Sequence, residues 1–262
     1  MREVFSISER LACRLVGIAR SAYRRPLPRQ TVADPDKDLR AWLRAWAADN
    51  PRRGYRMAWA DLRAEGKVIN KKKVWRLWRE EGLKVPQRRC RKRAGTSTLK
   101  PFKPYAANQV WAVDFQFTAD EQGRAIKICS IIDEYTRECV GNLVERSITA
   151  EKLREHLDIV CLQRETYPQV LRSDNGSEFT SQTMATWASE HTGLVFIPPG
   201  QPWKNGYVES FNSRIRDECL NLHSFYNLVH AQTIIGDWKH HYNTRRRHSA
   251  LGYKTPAEYA AA

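Results

Sequence analysis

The chain has 262 residues, enough for one large domain or two modest ones, and its 42% hydrophobic content suits a packed core rather than disorder. Its net charge of +15 is unevenly placed: residues 1–103 hold 28 Lys and Arg against 10 Asp and Glu, while residues 104–262 hold 16 against 19. No run approaches the roughly 18 apolar residues of a membrane span, and the N-terminus has no apolar stretch of signal-peptide type, so the expected compartment is the cytoplasm.

A surplus of this size in the front half repels itself unless a polyanion binds there, which makes nucleic acid the first expected partner. The six cysteines form no CxxC pair and read as isolated buried thiols. All seven histidines lie at or after His156, so the basic half contains no histidine-based zinc site.

The front half reads as helical. From Ser8, SERLACRLVGIARSAYRR offers an N-cap serine, apolar residues at Leu11, Leu15 and Val16, a turn at Gly17 and a second helix from about Arg20. Within residues 1–28 this suits a helix-turn-helix, or equally an ordinary helical hairpin. After Pro26, Pro28 and Pro35, the residues Leu39, Trp42, Leu43 and Trp46 recur at i, i+3, i+4 and i+7.

Trp59 and Leu62 continue a second helix up to Gly66. Asn70 then caps a third, with Val74, Leu77 and Trp78 inward and Lys71, Lys72, Lys73 and Arg76 outward. Residues 36–84 are therefore expected to form a helix-turn-helix DNA-binding domain. Its lysines occupy the first turn of the recognition helix, where side chains reach phosphates and base edges. Lysines oppose the positive end of the helix dipole, a conflict that a bound anion relieves; the plainer alternative is a solvated charged face. The five tryptophans between 42 and 78 read as the core of this bundle rather than a base-stacking platform. Residues 85–105 form a basic linker suited to lying along a phosphate backbone.

The near-neutral half reads as a mixed sheet. NQVWAVDFQFT alternates, with Trp111, Val113, Phe115 and Phe117 on one face and Asp114 on the other. Residues 125–137 and 138–148 complete a three-strand meander. A helix capped by Thr149 follows, then a strand from Gln169 to Ser173 ending at Asp174, a helix over 181–191, and a fifth strand over 194–199. A long helix from about Lys204 to Leu220 and another from Val229 to Tyr242 close the pattern, an α/β order with helices on both faces of the sheet.

An uncompensated carboxylate in an apolar strand costs several kcal/mol, so Asp114 calls for a partner. Asp174 ends a strand at the SDNGSEF loop, and Glu209 lies beside the apolar stripe Val208, Phe211, Ile215 of the long helix. Three acids arriving at one sheet repel one another unless a divalent cation neutralises them, and carboxylate oxygens are the hard ligands that Mg²⁺ or Mn²⁺ prefers. Pairs of such ions, about 3.5–4 Å apart, clamp the attacking and leaving oxygens of phosphodiester chemistry.

In order and context, VWAVDFQFT, then VLRSDNGSEFTS after 59 intervening residues, then GQPWKNGYVESFNSRIRDECL with 34 residues between Asp174 and Glu209, resemble the integrase core of DDE transposases. More narrowly, the chain resembles the OrfB-type transposases of the third insertion-sequence family, related to retroviral integrases. PRRGYR, VINKKKVWRLWREEGLKV and the tail HYNTRRRHSALGYKTPAEY fit that family too, so the likeness covers nearly the whole chain.

The resemblance implies an α/β, RNase H-like catalytic core over residues 106–220, preceded by the all-α region and followed by a C-terminal helix and basic tail over 221–262. It implies Asp114, Asp174 and Glu209 as catalytic metal ligands for Mg²⁺ or Mn²⁺, two ions in number. It also places a DNA-contacting basic residue seven positions after the glutamate, where this chain has Arg216. The expected partners are DNA, as element terminal inverted repeats and target, and further copies of the chain on that DNA.

The 34-residue gap is at the short end of the family's spacing. The helix-turn-helix and leucine zipper that the family assigns to a partner product, OrfA, are absent from the sequence, so OrfA or a frameshifted OrfAB fusion is expected to act with it. The expected site of action is the bacterial cytoplasm, on the nucleoid when bound to DNA. A DNA-binding regulator with a vestigial core and an RNase H-like nuclease acting on hybrids are the alternative functions.

Weaker expectations attach to several other residues. Asp133 reads as a turn former, and Asn175, Gly176 and Ser177 as shaping the loop that presents Asp174. Glu178 is a tempting fourth ligand that more simply faces solvent. Pro202, Trp203 and Asn205 are expected in an active-site flap, and Arg245, Arg246 and Arg247 as phosphate contacts.

Overall fold

The computed structural model describes residues 7–25, 34–85, 104–197 and 206–262. Most of the basic linker and all of Pro202, Trp203 and Asn205 lie outside them. The chain divides into two compact units, Met1–Asp49 and Asn50–Ala262.

In the first unit, Ser8 Oγ accepts from Leu11 N and caps α1 (Glu9–Val16), and Gly17, at φ +72°, ends it. A short α2 (Arg20–Arg24) follows. Cys13 is buried, but the expected apolar face is not: Leu15 and Val16 are 65% and 49% exposed. In α3 (Lys37–Asp49), Leu43 is buried and the half-buried Trp42 and Trp46 stack on each other at 6.3 Å.

The second unit opens with α4 (Tyr55–Ala64) and α5 (Lys71–Glu80). Gly66, in the left-handed region at φ +79°, turns the chain between them. Asn70 Oδ1 caps α5 by accepting from Lys72 N, and Trp59 Nε1 donates to Ile69 O at 2.9 Å, tying the turn to α4. Ala58, Leu62, Val74, Leu77 and Trp78 are buried, while Lys71, Lys72, Lys73 and Arg76 are exposed. Of the five tryptophans only Trp78 is fully buried. Trp75 is 44% exposed, with the Arg79 guanidinium 4.8 Å from its ring centre. The expectation that all five form core fails because α5 has one buried stripe, and Trp75 lies on its flank.

Strands β1 (Val110–Ala119), β2 (Ala125–Asp133), β3 (Cys139–Glu145), β4 (Val170–Ser173) and β5 (Gly193–Phe196) form one sheet in the order β3-β2-β1-β4-β5. The β1–β2 and β2–β3 pairs are antiparallel; β1–β4 and β4–β5 are parallel. The parallel pairs follow from the crossover helices α6 (Ala150–Arg164), capped by Thr149, and α7 (Gln182–His191), capped by Ser181.

Alternation in β1 splits the core in two. Trp111 and Val113 pack with Leu153, Leu157, Met184 and Trp187 of α6 and α7. On the other face, Ala112, with Ile126 and Ile128 of β2, packs against α8 (Gly206–Ile215) and α9 (Leu228–Thr244) through Val208, Phe211, Ile235 and Trp238. The long helix expected to reach Leu220 stays α-helical only to Ile215; Arg216–Leu220 is a π-turn, with Cys219 and Leu220 buried. The 3₁₀ turn Ser249–Leu251 and α10 (Pro256–Ala260), which a capping box starts at Thr255 and Glu258, end the chain.

Five described cysteines are free and buried. Burial also holds three histidines neutral: the imidazole pKa falls to about 4 in His156 and His241 and to about 3 in His248. In the unfolded chain these rings take up a proton near pH 6.5, so the penalty is absent above that pH and grows as pH falls toward 4. The raised pKa values of Asp114 and Glu134 act in the opposite sense. His156 Nε2 is buried without a partner among the described residues. The expected result is that the melting temperature of His156→Leu parts upward from that of the parent below pH 6.5; parallel curves would refute it.

Candidate active site

The register of the sheet brings two of the three acids together. β4 lies parallel beside β1 with Val110 opposite Val170 and Ala112 opposite Arg172. The pairing ends there, and the same 60-residue offset directs Asp174, the first residue past β4, toward Asp114, on whose carboxyl its charge acts. Asp174 is exposed, and its Oδ1 accepts from Gly176 N at 2.9 Å. Asn175 Nδ2 donates to Ile197 O at 2.7 Å, so both neighbours shape the loop as expected. A Cβ on Gly176 would stand 3.1 Å from Asp174 Oδ1 and 3.3 Å from the Phe179 ring, so a side chain here would require one of them to shift by a few tenths of an ångström.

The third acid comes from α8, whose stripe Val208, Phe211, Ile215 is buried on the sheet. Glu209 lies off that stripe and is exposed. One turn on, Asn212 Nδ2 donates to Asp114 Oδ2 at 2.8 Å and its Oδ1 accepts from Gln116 Nε2 at 3.2 Å. Asn212 therefore fixes α8 to β1 at the acid itself. Its place on the Glu209 face was visible in the sequence, but its partner was not.

Burial is the largest influence on Asp114 and raises its carboxyl to about 6; Asp174 and Glu209 push the same way, against the lowering hydrogen bonds from Phe115 N and Asn212. Asp174 and Glu209 thus both act on Asp114 in the sense that disfavours its charge. The donors of the three acids are all hard oxygens, which fits Mg²⁺ or Mn²⁺. Among the described residues, however, no three His, Cys, Asp or Glu side chains are grouped closely enough to hold one ion between them. Asp114 and Asp174 come from two adjacent interior strands and Glu209 from the helix docked beside them, without closing into a cage.

Arg216 is exposed at the start of the π-turn and makes no ion pair with a described residue. Lys71, Lys72, Lys73 and Arg76 line the solvent side of α5; Lys71 Nζ lies 5.2 Å from the Trp59 ring centre, and Arg76 pairs with Glu80 at 3.7 Å. Asp133 is a turn former: Oδ1 accepts from Tyr135 N and Thr136 N, Oδ2 from Asn108 N. Glu178 does not simply face solvent: it pairs with Lys127, whose Nζ sits 4.0 Å over the Phe115 ring. That pair anchors the loop after Asp174 to β2, and nothing local in the sequence announces it.

The arginine run divides. Only Arg245 is exposed. Arg246 is buried against Glu218 and Arg247 pairs with Asp61 and Glu258, so two of the three expected phosphate contacts are structural. No helix among the described residues is long and apolar enough to cross a membrane.

Residues 104–202 and 191–256 each match an integrase core domain family, and residues 34–91 match an HTH-like domain. The uncharacterized 31.7 kDa protein of insertion element IS407 from Burkholderia multivorans is 40% identical over all of this chain and 93% of its own length. The uncharacterized 39.2 kDa protein of insertion element IS476 from Xanthomonas euvesicatoria is also 40% identical, over all of this chain and 75% of its own. In fold, the chain is similar to one in a simian T-cell lymphotropic virus intasome, with a TM-score of 0.53 at 13% identity over 74% of this chain and 68% of the viral one. The mixed sheet with helices on both faces is accordingly RNase H-like, with a helical, HTH-like region before it. Since the 40% identity runs from one end of the chain to the other across both kinds of domain, the chain belongs to the DDE transposases of the third insertion-sequence family.

Proposed function

We propose that Asp114, Asp174 and Glu209 are the catalytic carboxylates of this transposase and that they hold divalent metal, Mg²⁺ or Mn²⁺, as two ions. The observation that carries the reading is the parallel register that directs Asp174 toward Asp114, with Asn212 docking the Glu209 helix onto the Asp114 carboxylate. Bound there, the metal supplies Lewis-acid stabilisation of the attacking and leaving oxygens of a phosphodiester. Asn212 orients Asp114 so that its remaining lone pairs face outward, Gly176 N holds Asp174, and Arg216 meets a phosphate beside them. The nucleophile is water in strand cleavage and a DNA 3′-hydroxyl in strand transfer; no covalent protein–DNA bond is needed.

On this reading residues 36–84 form the domain that holds the element ends, with Lys71, Lys72, Lys73 and Arg76 on the duplex, the linker over 85–105 lies along the backbone, and the core spans 106–220. The chain works in the cytoplasm as an oligomer on DNA, with OrfA or as an OrfAB fusion. The direct test is strand-specific nicking of a duplex carrying the element's terminal repeat in Mg²⁺; an RNA strand cut in a hybrid, with no DNA product, would overturn it.

Replacing Lys71, Lys72 and Lys73 with Ala should weaken binding to those ends and flatten its salt dependence. Each phosphate that a lysine no longer neutralises lowers the slope of log K against log salt by about 0.9, so the slope of the triple variant is expected to fall by between about 1 and 3. An unchanged slope would sink the assignment of α5 to DNA.

A further inference from the structure

The second unit contains a cleft of about 1220 Å³ between the start of α4, the flank of α5 and the side of α8 turned away from the carboxylates. It is larger than the roughly 300–1,000 Å³ of a small-molecule pocket. Among the described residues its lining carries eight Lys and Arg and not one Asp or Glu. Two of these cations, Arg53 and Arg246, are neutralised from behind by the buried Glu218. The other six, Arg52, Arg56, Arg79, Lys84, Arg137 and Arg214, make no ion pair with a described residue.

Aromatic rings alternate with the cations. The Arg137 guanidinium lies 3.6 Å from the Tyr207 ring centre, Arg79 lies 4.8 Å from that of Trp75, and Arg56 lies 5.9 Å from that of Tyr55 while donating to its hydroxyl. Arg137 sits in the left-handed region at φ +65°, a conformation costing a long side chain about 1–2 kcal/mol, and its Nη1 is buried without a hydrogen-bond partner among the described residues. The turn from β2 to β3, closed by Arg137 N donating to Asp133 O, accounts for that backbone; the unsatisfied guanidinium nitrogen is what an absent anion would account for.

We propose that this cleft binds a single-stranded stretch of DNA, its phosphates on the six cations and its unpaired bases on Trp75, Tyr55 and Tyr207. The choice of single strand follows from the rings. A duplex hides its base faces, whereas a concave, cationic groove with aromatic and guanidinium planes inside takes unstacked bases without regard to sequence. α8 separates this groove from the chemistry. At about 100° per residue, Tyr207, Ser210 and Arg214 project on one side of the helix, and Glu209 and Asn212 on the other. The strand in the cleft is therefore not the one being cut at that moment; it is one held open beside it. The inference rests on DNA being the substrate.

The test is anisotropy of a labelled oligothymidylate, against a duplex of equal length, with the full chain. The parent should bind the single strand in preference to a duplex lacking the terminal repeat. Arg52→Ala with Arg214→Ala, both exposed and away from α5, should lower the single-strand salt slope by about 1.4, at roughly 0.7 for each phosphate no longer neutralised. Trp75→Ala should weaken the single strand about 5- to 150-fold. Binding of the terminal-repeat duplex by the double variant should be unchanged.

Equal affinity of the parent for both forms, unchanged single-strand binding in the double variant, or displacement by polyglutamate as readily as by single strand would overturn the proposal, the last result making the groove a site for an acidic polypeptide. Nicking of the terminal-repeat duplex is read separately. Nicking with no single-strand effect removes the cleft and leaves the transposase reading, whereas no nicking by the parent removes that reading itself.

Discussion

Asp114→Asn, Asp174→Asn and Glu209→Gln are each expected to lower strand cleavage by roughly 10³-fold or more while affinity for the element ends survives. The amides keep the shape of the side chains, so Gly176 N still meets oxygen at position 174, while Asn at 114 has one oxygen for the two donors Phe115 N and Asn212 Nδ2. What disappears is the negative charge that makes these groups ligands for a hard cation. The same change relieves the protein in metal-free buffer. Burial and the two neighbouring acids hold the Asp114 carboxyl at about 6, so at pH 7 the folded chain retains a charge that it would shed more readily than the unfolded chain does. Asp114→Asn loses one of the two hydrogen bonds at all pH but escapes this penalty, so its melting temperature is expected to gain on that of the parent as pH rises from about 4 to above 6, as when a site is built for function at the expense of stability. Cleavage in Mg²⁺ retained by any one of the three variants would overturn the triad, and a melting-temperature difference between Asp114→Asn and the parent that does not change over that pH range would overturn its electrostatics.

Much of this was legible because it is written in local patterns. The alternation VWAVDFQFT gives β1 and the face of Asp114, and Ser8, Asn70, Thr149 and Ser181 mark helix starts that their side chains do cap. The 60-residue offset between Asp114 and Asp174 is also in the sequence, but it acquires meaning only once β4 is known to lie parallel beside β1 with that same offset. What stayed hidden depends on partners distant in the chain. Nothing near Arg246 announces Glu218, nothing near Arg247 announces Asp61, and an arginine run read alone looks like a phosphate contact. Trp75 was misread for a related reason: helical periodicity identifies a stripe, not the breadth of the surface that can bury it. The π-turn has no signature in composition at all, and it places Glu218 among the arginines.

That placement sets a large stability effect. Glu218 and Arg246 are each 6% exposed at the side chain and meet in a two-pronged contact, with Nε and Nη2 of the arginine donating at 2.8 and 2.7 Å; Arg53, 11% exposed, adds one longer bond at 3.3 Å. Burial by itself would raise the Glu218 carboxyl, but Arg246 and then Arg53 outweigh it and hold it below the usual carboxylate range. The two arginines respond differently. Despite its burial Arg246 is raised by Glu218, whereas Arg53 is lowered, burial outweighing its single bond, so Arg246 is the principal partner. Glu218→Gln leaves two guanidinium groups facing each other in a poorly solvated place. The expected cost is about 3–5 kcal/mol, read as a fall of roughly 6–20 °C in the melting temperature of a unit of this size. Because the carboxyl is depressed, its contribution is present above the unfolded value near 4.5 and is lost as pH falls below it, so parent and variant should converge in acid. Replacing Glu218 and Arg246 together with Met removes the principal pair and should recover part of the loss, since a buried ion pair is worth little more than an apolar contact of equal volume, while Arg53, left without its carboxylate, keeps the rest. If Glu218→Gln melts with the parent at pH 7, or the double variant is no more stable than the single, then the cluster does not hold the π-turn to the C-terminal segment and the cleft above it has some other floor.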